Sequence, residues 1–430
     1  MKKGFVLVCA IVLFSGFPDR ADPALMRRAV QDETWKSLGP QGGDIIGMAG
    51  NPKNLNELFA LVGGMPGQVL RSVNGGSSWL RTGLIRSYTF DIAVNPANPN
   101  IVYVLGEGSF YSSADQGASF IEYPLGTRRW GTRGRISVNT RNPNEIYASG
   151  TYFYDTSSSN HCCMAVFKSA DGGANWTMTP FYPTSDQGLA LGISVSPVNP
   201  EIVYACGYYD KPGLYSKSKV LKSINAGGSW KDITGKINSK PLFVLAHSKD
   251  VNKVYVATAS RVFRSSDGGK SWSAQESPPN ICGGPIALDS THPNTLYMGN
   301  SEAKVVFKST DGGANWKEYS KGISGYSRSV CVSGRAIFLG TTAGVYKSLT
   351  RGVSWKPSSV GIKATNIPTF ALATSAPNTI YAEAFSYAYF KSINGGKTWQ
   401  RLPDFYRCDK ILRFGIHPAN PNTIFILAGG

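Results

Sequence analysis

Acidic side chains are scarce in this chain, 27 against 44 lysines and arginines, which leaves a net charge of +17. Charged residues of both signs make up only 17%, and no low-complexity tract or charged tail is present, so the chain is not a disordered polyelectrolyte. No stretch keeps a helical period, which argues against helical domains. One apolar run, near the N-terminus, is all there is of that kind, and it is too short for a comfortable membrane span. There are four histidines, His161, His247, His292 and His417. They form no visible triad with a Ser or Cys nucleophile, and two of them sit in turns. No nucleic-acid motif accompanies the basic charge, so nucleic acid is not an expected partner.

What the chain has is a repeat. Lys308-Ser309-Thr310-Asp311-Gly312-Gly313-Ala314-Asn315-Trp316 follows the pattern Ser-x-Asp-x-Gly-x-x-Trp, and the same frame begins at Ser72, Ser113, Ser169, Ser223, Ser265, Ser309, Ser348 and Ser392. The steps between them are 41, 56, 54, 42, 44, 39 and 44 residues, a period that means radially or linearly repeated units. A short apolar run precedes each box and an extended segment follows it, so the box is the turn of a β-hairpin. Its glycine supplies a positive φ, its Ser and Asp can bond turn backbone, and its Trp offers a large face to bury between units. The acidic position is Asp in four copies, but Asn at Asn74, Asn225 and Asn394, and Thr at Thr350. An amide can cap a turn but cannot act as an acid or base, so the box is architecture. Seven boxes follow a cation: Arg71, Lys168, Lys222, Arg264, Lys308, Lys347 and Lys391. These spread the positive charge around the repeat and are expected to form a solvated rim.

The box resembles the Asp-box, or bacterial neuraminidase repeat, of sialidases, family 74 xyloglucanases, sortilin-type domains and Ycf48-type assembly factors. The resemblance implies an all-β fold, a single β-propeller of four-stranded antiparallel blades. The residues between boxes support this. Each unit reads as a first apolar strand such as Ile92-Ala93-Val94, then a turn such as Asn95-Pro96-Ala97-Asn98-Pro99. A second strand carries Tyr or Phe (Tyr103, Tyr147, Tyr204, Tyr255, Tyr297, Phe338, Tyr381), and a third strand leads into the box. Four strands repeated in this way make propeller blades. Eight whole blades are expected, with Ile411 to Ala428 opening a further one. Trp35-Lys36-Ser37-Leu38 reads as the tail of a box and would give that last, composite blade its outer strand. A longer natural chain, or end strands that fill out the first blade, are the alternatives.

Lys2, Lys3 and the apolar segment Phe5 to Phe17 read as an export signal. Residues 1–24 are expected to be removed, leaving 25–430 as the propeller in a soluble, extracytoplasmic protein with no membrane span. Six cysteines would remain: Cys162, Cys163, Cys206, Cys282, Cys331 and Cys408. Cys206 with Cys162 or Cys163 is the expected disulfide, because they fall at similar points of neighbouring repeats. The Cys162-Cys163 doublet lacks a second ligand pair at zinc spacing, so no metal and no cofactor are expected.

In a propeller, the first-to-second turns and the boxes share one face, and the longer loops share the other. Three of those loops are rich in arginine and aromatics. The first holds Arg128, Arg129, Trp130, Arg133 and Arg135; the second Tyr152, Tyr154 and Asp155; the third Tyr208, Tyr209, Asp210 and Tyr215. They belong to consecutive blades and should cluster. Arginine forks onto carboxylate or sulfate, and aromatic rings offer stacking faces, so the expected ligand is a glycan or protein partner. The hydrolase motifs of the resembling families are missing. There is no Phe-Arg-Ile-Pro, and Ala60-Leu61-Val62-Gly63-Gly64 stands where family 74 enzymes carry Ala-Arg-Thr-Asp-x-Gly-Gly. Glycoside hydrolysis needs two opposed carboxyls, and nothing in the spacing of Asp155, Asp186, Asp210, Glu383 and Asp409 argues for a pair. The sequence therefore points to a non-catalytic binder. A divergent glycoside hydrolase and a polypeptide-gripping sorting or assembly factor are the alternatives.

Overall fold

The computed structural model describes residues 42–125, 130–131, 134–153, 162–181, 187–210, 217–274, 283–289, 291–360, 362, 369–373, 376–384, 388–402, 410–417 and 420–429. Trp35 and the expected export signal lie outside the described residues. Every described element is a strand, turn or bend. The strands form eight antiparallel meanders at 45–85, 89–124, 130–181, 187–232, 241–274, 283–318, 327–357 and 369–401, each running first to fourth strand in sequence order. A two-stranded sheet, Lys410–His417 with Asn420–Gly429, follows. The third meander carries one extra strand, Trp130–Gly131, beside its second strand. These are the units the repeat predicts.

The ring closes after seven of them. The innermost strand of the first blade, Ile45–Asn51, packs on Thr89–Val94 of the second blade and on Ser327–Ser333 of the seventh. At that seam Gly42 N donates to Ile362 O at 3.0 Å and Trp79 N to Val360 O at 2.8 Å. Ser329 Oγ donates to Ile45 O at 3.1 Å. One apolar cluster spans it, with Leu58, Val62, Leu70 and Trp79 on one side and Phe338, Val345 and Ile362 on the other. The eighth meander packs instead on the two-stranded sheet, through Thr369–Ala373 against Lys410–His417. Closure thus needs nothing from the Trp35 segment.

The second-strand tyrosines are the largest fully buried side chains, with Tyr103, Tyr147, Tyr204, Tyr255 and Tyr297 among them. The box tryptophans divide into two groups. Trp79, Trp272 and Trp355 are buried and donate Nε1 to the chain of the preceding blade: Ser358 O at 2.7 Å, Ile233 O at 2.6 Å and Tyr319 O at 2.8 Å. Trp176, Trp230 and Trp316 are half-buried and donate to a glycine carbonyl of their own box.

Within each box the Ser oxygen accepts the N–H of the fifth residue, as from Gly117 and Gly313 at 2.8 Å. The third residue accepts the N–H of the seventh: Ser119 to Asp115, Asn315 to Asp311 and Ser354 to Thr350 Oγ1, each at 2.9 Å. Asp, Asn and Thr are interchangeable because only an acceptor is required. The fourth residue also takes a left-handed backbone, at φ 63° for Gln116 and 53° for Ala226 and Arg351. Glycine fills this position in the other five boxes, at Gly75, Gly172, Gly268, Gly312 and Gly395.

The lysines before the boxes correct the solvated-rim expectation. Lys168, Lys222, Lys308 and Lys347 each donate Nζ to the carbonyl of the fourth box residue in the next blade. The acceptors are Ala226 and Gly268 at 2.8 and 2.9 Å, and Arg351 and Gly75 at 2.9 and 2.5 Å. Each ammonium also lies 5.5–5.8 Å over the second-strand ring of its own blade, Tyr147, Tyr204, Tyr297 or Phe338. Burial, then repulsion from Lys270, pulls the Lys222 pKa down. Long aliphatic stems let these side chains reach across a blade boundary.

The expected disulfide is also corrected. Cys206 is a free, buried thiol, inside the apolar cluster of the fourth and fifth blades with Val220, Val244 and Val256. Its second-strand position points it into the blade, and burial pushes its pKa up. Cys331 is likewise free.

Candidate functional site

The first strands start at the loop face, and there the channel mouth carries charge. In the second blade Asp91 interrupts the apolar strand Thr89–Val94 at a register shift. Its Oδ2 accepts Ile136 N of the third blade at 2.9 Å, and its Oδ1 meets Arg135 Nη1 at 3.4 Å. The Arg135 guanidinium lies 4.9 Å from the centroid of Phe243, two blades further on. One guanidinium therefore meets Asp91 of the second blade and stacks on Phe243 of the fifth. Burial raises the Asp91 pKa, opposed by Arg135 and by the backbone N–H groups of Ile136 and Ile92. A second pair, Arg328 Nε with Asp44 Oδ1 at 3.3 Å, sits where the seventh blade meets the first. Burial also raises Asp44, against Arg328.

The third blade builds most of the site. Trp130–Gly131 pairs antiparallel with its second strand, Trp130 opposite Tyr152 and Gly131 opposite Thr151. Two of the aromatic loops read from the sequence are thereby joined by main-chain bonds. Between this short strand and Ile136–Val138 the chain passes so close to the second strand that a Cβ on Gly134 would lie 2.0 Å from Ser149 O. Only glycine fits there. In the fourth blade Tyr208 and Tyr209 end the strand Val203–Asp210 half-buried, and Asp210 lies opposite Gln187. Lys240, from the approach to the fifth blade, places Nζ 4.3 Å over the Tyr208 ring.

Trp130, Tyr152, Tyr208, Tyr209 and Asp210 thus fall on strand ends of consecutive blades, while Arg128, Arg129, Arg133, Tyr154 and Asp155 lie outside the described residues. Asp91, Phe243 and Lys240 were missed. The signal for the first was a carboxylate inside an otherwise apolar strand. The exposed Tyr88 and Met65 in the loop-face turns of the first two blades were missed as well. Asp186 and Asp409 lie outside the described residues, Asp210 and Glu383 are placed by their strands, and the carboxyls of Asp44 and Asp91 are each held by an arginine. Such a mouth can position a ring or an anion. Among the described residues no group of His, Cys, Asp and Glu could hold a metal.

The fold and the mouth define a β-propeller built on Ser-x-Asp turns. A family model described as Sortilin-Vps10 (sortilin, neurotensin receptor 3) matches residues 218–342. The GH74 enzyme of Niastella koreensis is similar in structure, with TM-score 0.61 and 14% identity, covering 93% of this chain and 71% of that one. The GH74 xyloglucanase of Xanthomonas campestris gives 0.59 and 13%, over 87% and 70%. YCF48 bound to D1 peptide gives only 0.39, at 18% identity over 68% and 87%, too low to argue from. No curated protein sequence matches the chain. The chain therefore shares its propeller fold with the GH74 enzymes and resembles the sortilin model over 218–342.

Proposed function

We propose that this is an exported, non-catalytic propeller, residues 25–430 after loss of a 1–24 signal, which binds an extracellular glycan at the channel mouth of its loop face. The observation that supports this most is the pairing of Trp130 with Tyr152 beside the Arg135–Asp91 bridge. It gathers aromatic and arginine-rich segments, far apart in sequence, into one place. Arg128, Arg129, Arg133, Tyr154, Asp155, Tyr208, Tyr209 and Asp210 complete the proposed surface. Rings stack on sugar faces, and arginines fork onto carboxylate or sulfate substituents.

The test is to incubate the exported protein with neutral, sialylated and sulfated glycans and to read retention and mass together. Retention at unchanged mass is the expected result, weakened in Arg129→Ala and Trp130→Ala. Loss of mass would mean a hydrolase related in activity, as well as fold, to the GH74 enzymes. No retention of any glycan would transfer the site to a polypeptide.

A further inference from the structure

The boxes divide into two sets by two positions at once. Where the third residue is acidic, the second is small or polar: Ala114-Asp115, Ala170-Asp171, Ser266-Asp267 and Thr310-Asp311. Where the third is neutral, the second is a branched apolar residue: Val73-Asn74, Ile224-Asn225, Leu349-Thr350 and Ile393-Asn394. All eight follow this rule. The apolar tips are bare, with Val73 59%, Ile224 67%, Leu349 69% and Ile393 70% exposed. Turn stability does not ask for this. Asn74 and Asn225 accept the seventh-residue N–H at 2.9 and 2.7 Å, the bond that Asp115 and Asp311 make at 2.9 Å.

A carboxylate beside a tip costs nothing in water but is strongly disfavoured if the tip must enter an apolar phase. An amide keeps the turn and removes the charge. The four neutral boxes are thus the ones equipped to be buried. Three of them belong to the first, fourth and seventh blades of the ring, and Ile393-Asn394 lies in the eighth meander. The Lys347–Gly75 bond sets the seventh box beside the first, while the fourth lies three blades away from either. Small or polar tips separate them, so one compact groove on a partner would not cover all three, whereas a flat surface would. Exposed cations share this face, namely Lys249 and Arg335 in the first-to-second turns and Lys270 at a box tip, and the net charge is +17. We infer that the box face, opposite the glycan site, rests on an anionic lipid surface, with Val73, Ile224 and Leu349 as its apolar pins. No helix among the described residues is long and apolar enough to cross a membrane. The contact is peripheral, combining shallow apolar burial with attraction to anionic headgroups.

The test is flotation of the exported chain with phosphatidylcholine vesicles, with and without phosphatidylglycerol. The native chain should float with the mixed vesicles and much less with phosphatidylcholine alone. Val73→Ser/Ile224→Ser/Leu349→Ser should lower the bound fraction about tenfold or more, three aliphatic side chains being lost to the lipid, at an unchanged thermal midpoint. Asn225→Asp should weaken flotation without touching the turn, and Tyr88→Ser, on the other face, should leave it as in the native chain. A native chain that stays in solution, or a triple variant that floats equally well, overturns the inference. So does a native dimer, seen without vesicles, that the triple substitution dissociates, because a second copy would then cover the tips.

Discussion

Trp79→Ala tests the closure of the ring. Trp79 is 4% exposed and fills the cluster between the first and seventh blades with Leu58, Phe338 and Val345. Its Nε1 also satisfies Ser358 O at 2.7 Å. Removing a buried indole costs about 3–5 kcal/mol, and a buried carbonyl left without its donor adds about 1 kcal/mol. The expected loss is therefore about 4–6 kcal/mol. Trp316→Ala makes the same chemical change in a half-buried residue whose Nε1 is spent on Gly313 O of its own box at 3.0 Å. About half the area is recovered by water, so its loss is about 2 kcal/mol. Urea unfolding at constant m-value reads the two differences. Hydrogen exchange in Trp79→Ala should lose protection first in the strands Ile45–Asn51 and Ser327–Ser333. Equal losses for the two variants, or a larger one for Trp316→Ala, would refute a ring closed between the first and seventh blades.

Ala226→Gly relieves a left-handed φ of 53° while keeping the carbonyl that Lys168 and Tyr147 use; urea unfolding should show a gain of about 1 kcal/mol. Lys347→Met keeps the stem but loses the bond to Gly75 O and the charge over Phe338, for a loss of about 1–2 kcal/mol, whereas the exposed Lys397→Met should be neutral within about 0.5 kcal/mol. Asp171 is held at about 2, first by the Asn175 N–H and then by the Asn175 amide and the Ser169 hydroxyl. A depressed carboxyl supports the fold fully above the unfolded value of about 3.9 and loses that support as pH falls through the folded value. Asp171→Asn should thus leave the thermal midpoint at pH 7 unchanged and flatten its decline between pH 4 and 2; an unaltered acid decline would disprove the linkage.

The blades were legible because each writes its own turn. Ser113-Ala114-Asp115 carries its whole hydrogen-bond pattern within eight residues, and Tyr103 announces a buried second strand. Closure was not legible, because every blade uses the same grammar and nothing local distinguishes the neighbour of the first from that of the second. Lys168 or Lys308 reads as a surface charge until the carbonyl of another blade is in view. Cys206 looked paired because its place in the repeat says nothing about the direction of its side chain within the sheet. At the site, the aromatic loops could be read from composition. The Asp91–Arg135–Phe243 arrangement could not, since it joins three blades that meet only once the ring has formed.

The lysine links have a consequence for how such a chain can grow. The donor is a side chain, but the acceptor is a backbone carbonyl, contributed by Gly75, Ala226, Gly268 or Arg351 without regard to residue type. The first, fourth, fifth and seventh boxes therefore present the same socket to the blade before them. A gene segment running from one box to the next can be copied, lost or moved without matching substitutions elsewhere, because the joint it needs is rebuilt from its own turn. Propellers of different blade number can descend from one another by such steps, each intermediate being already a folded protein.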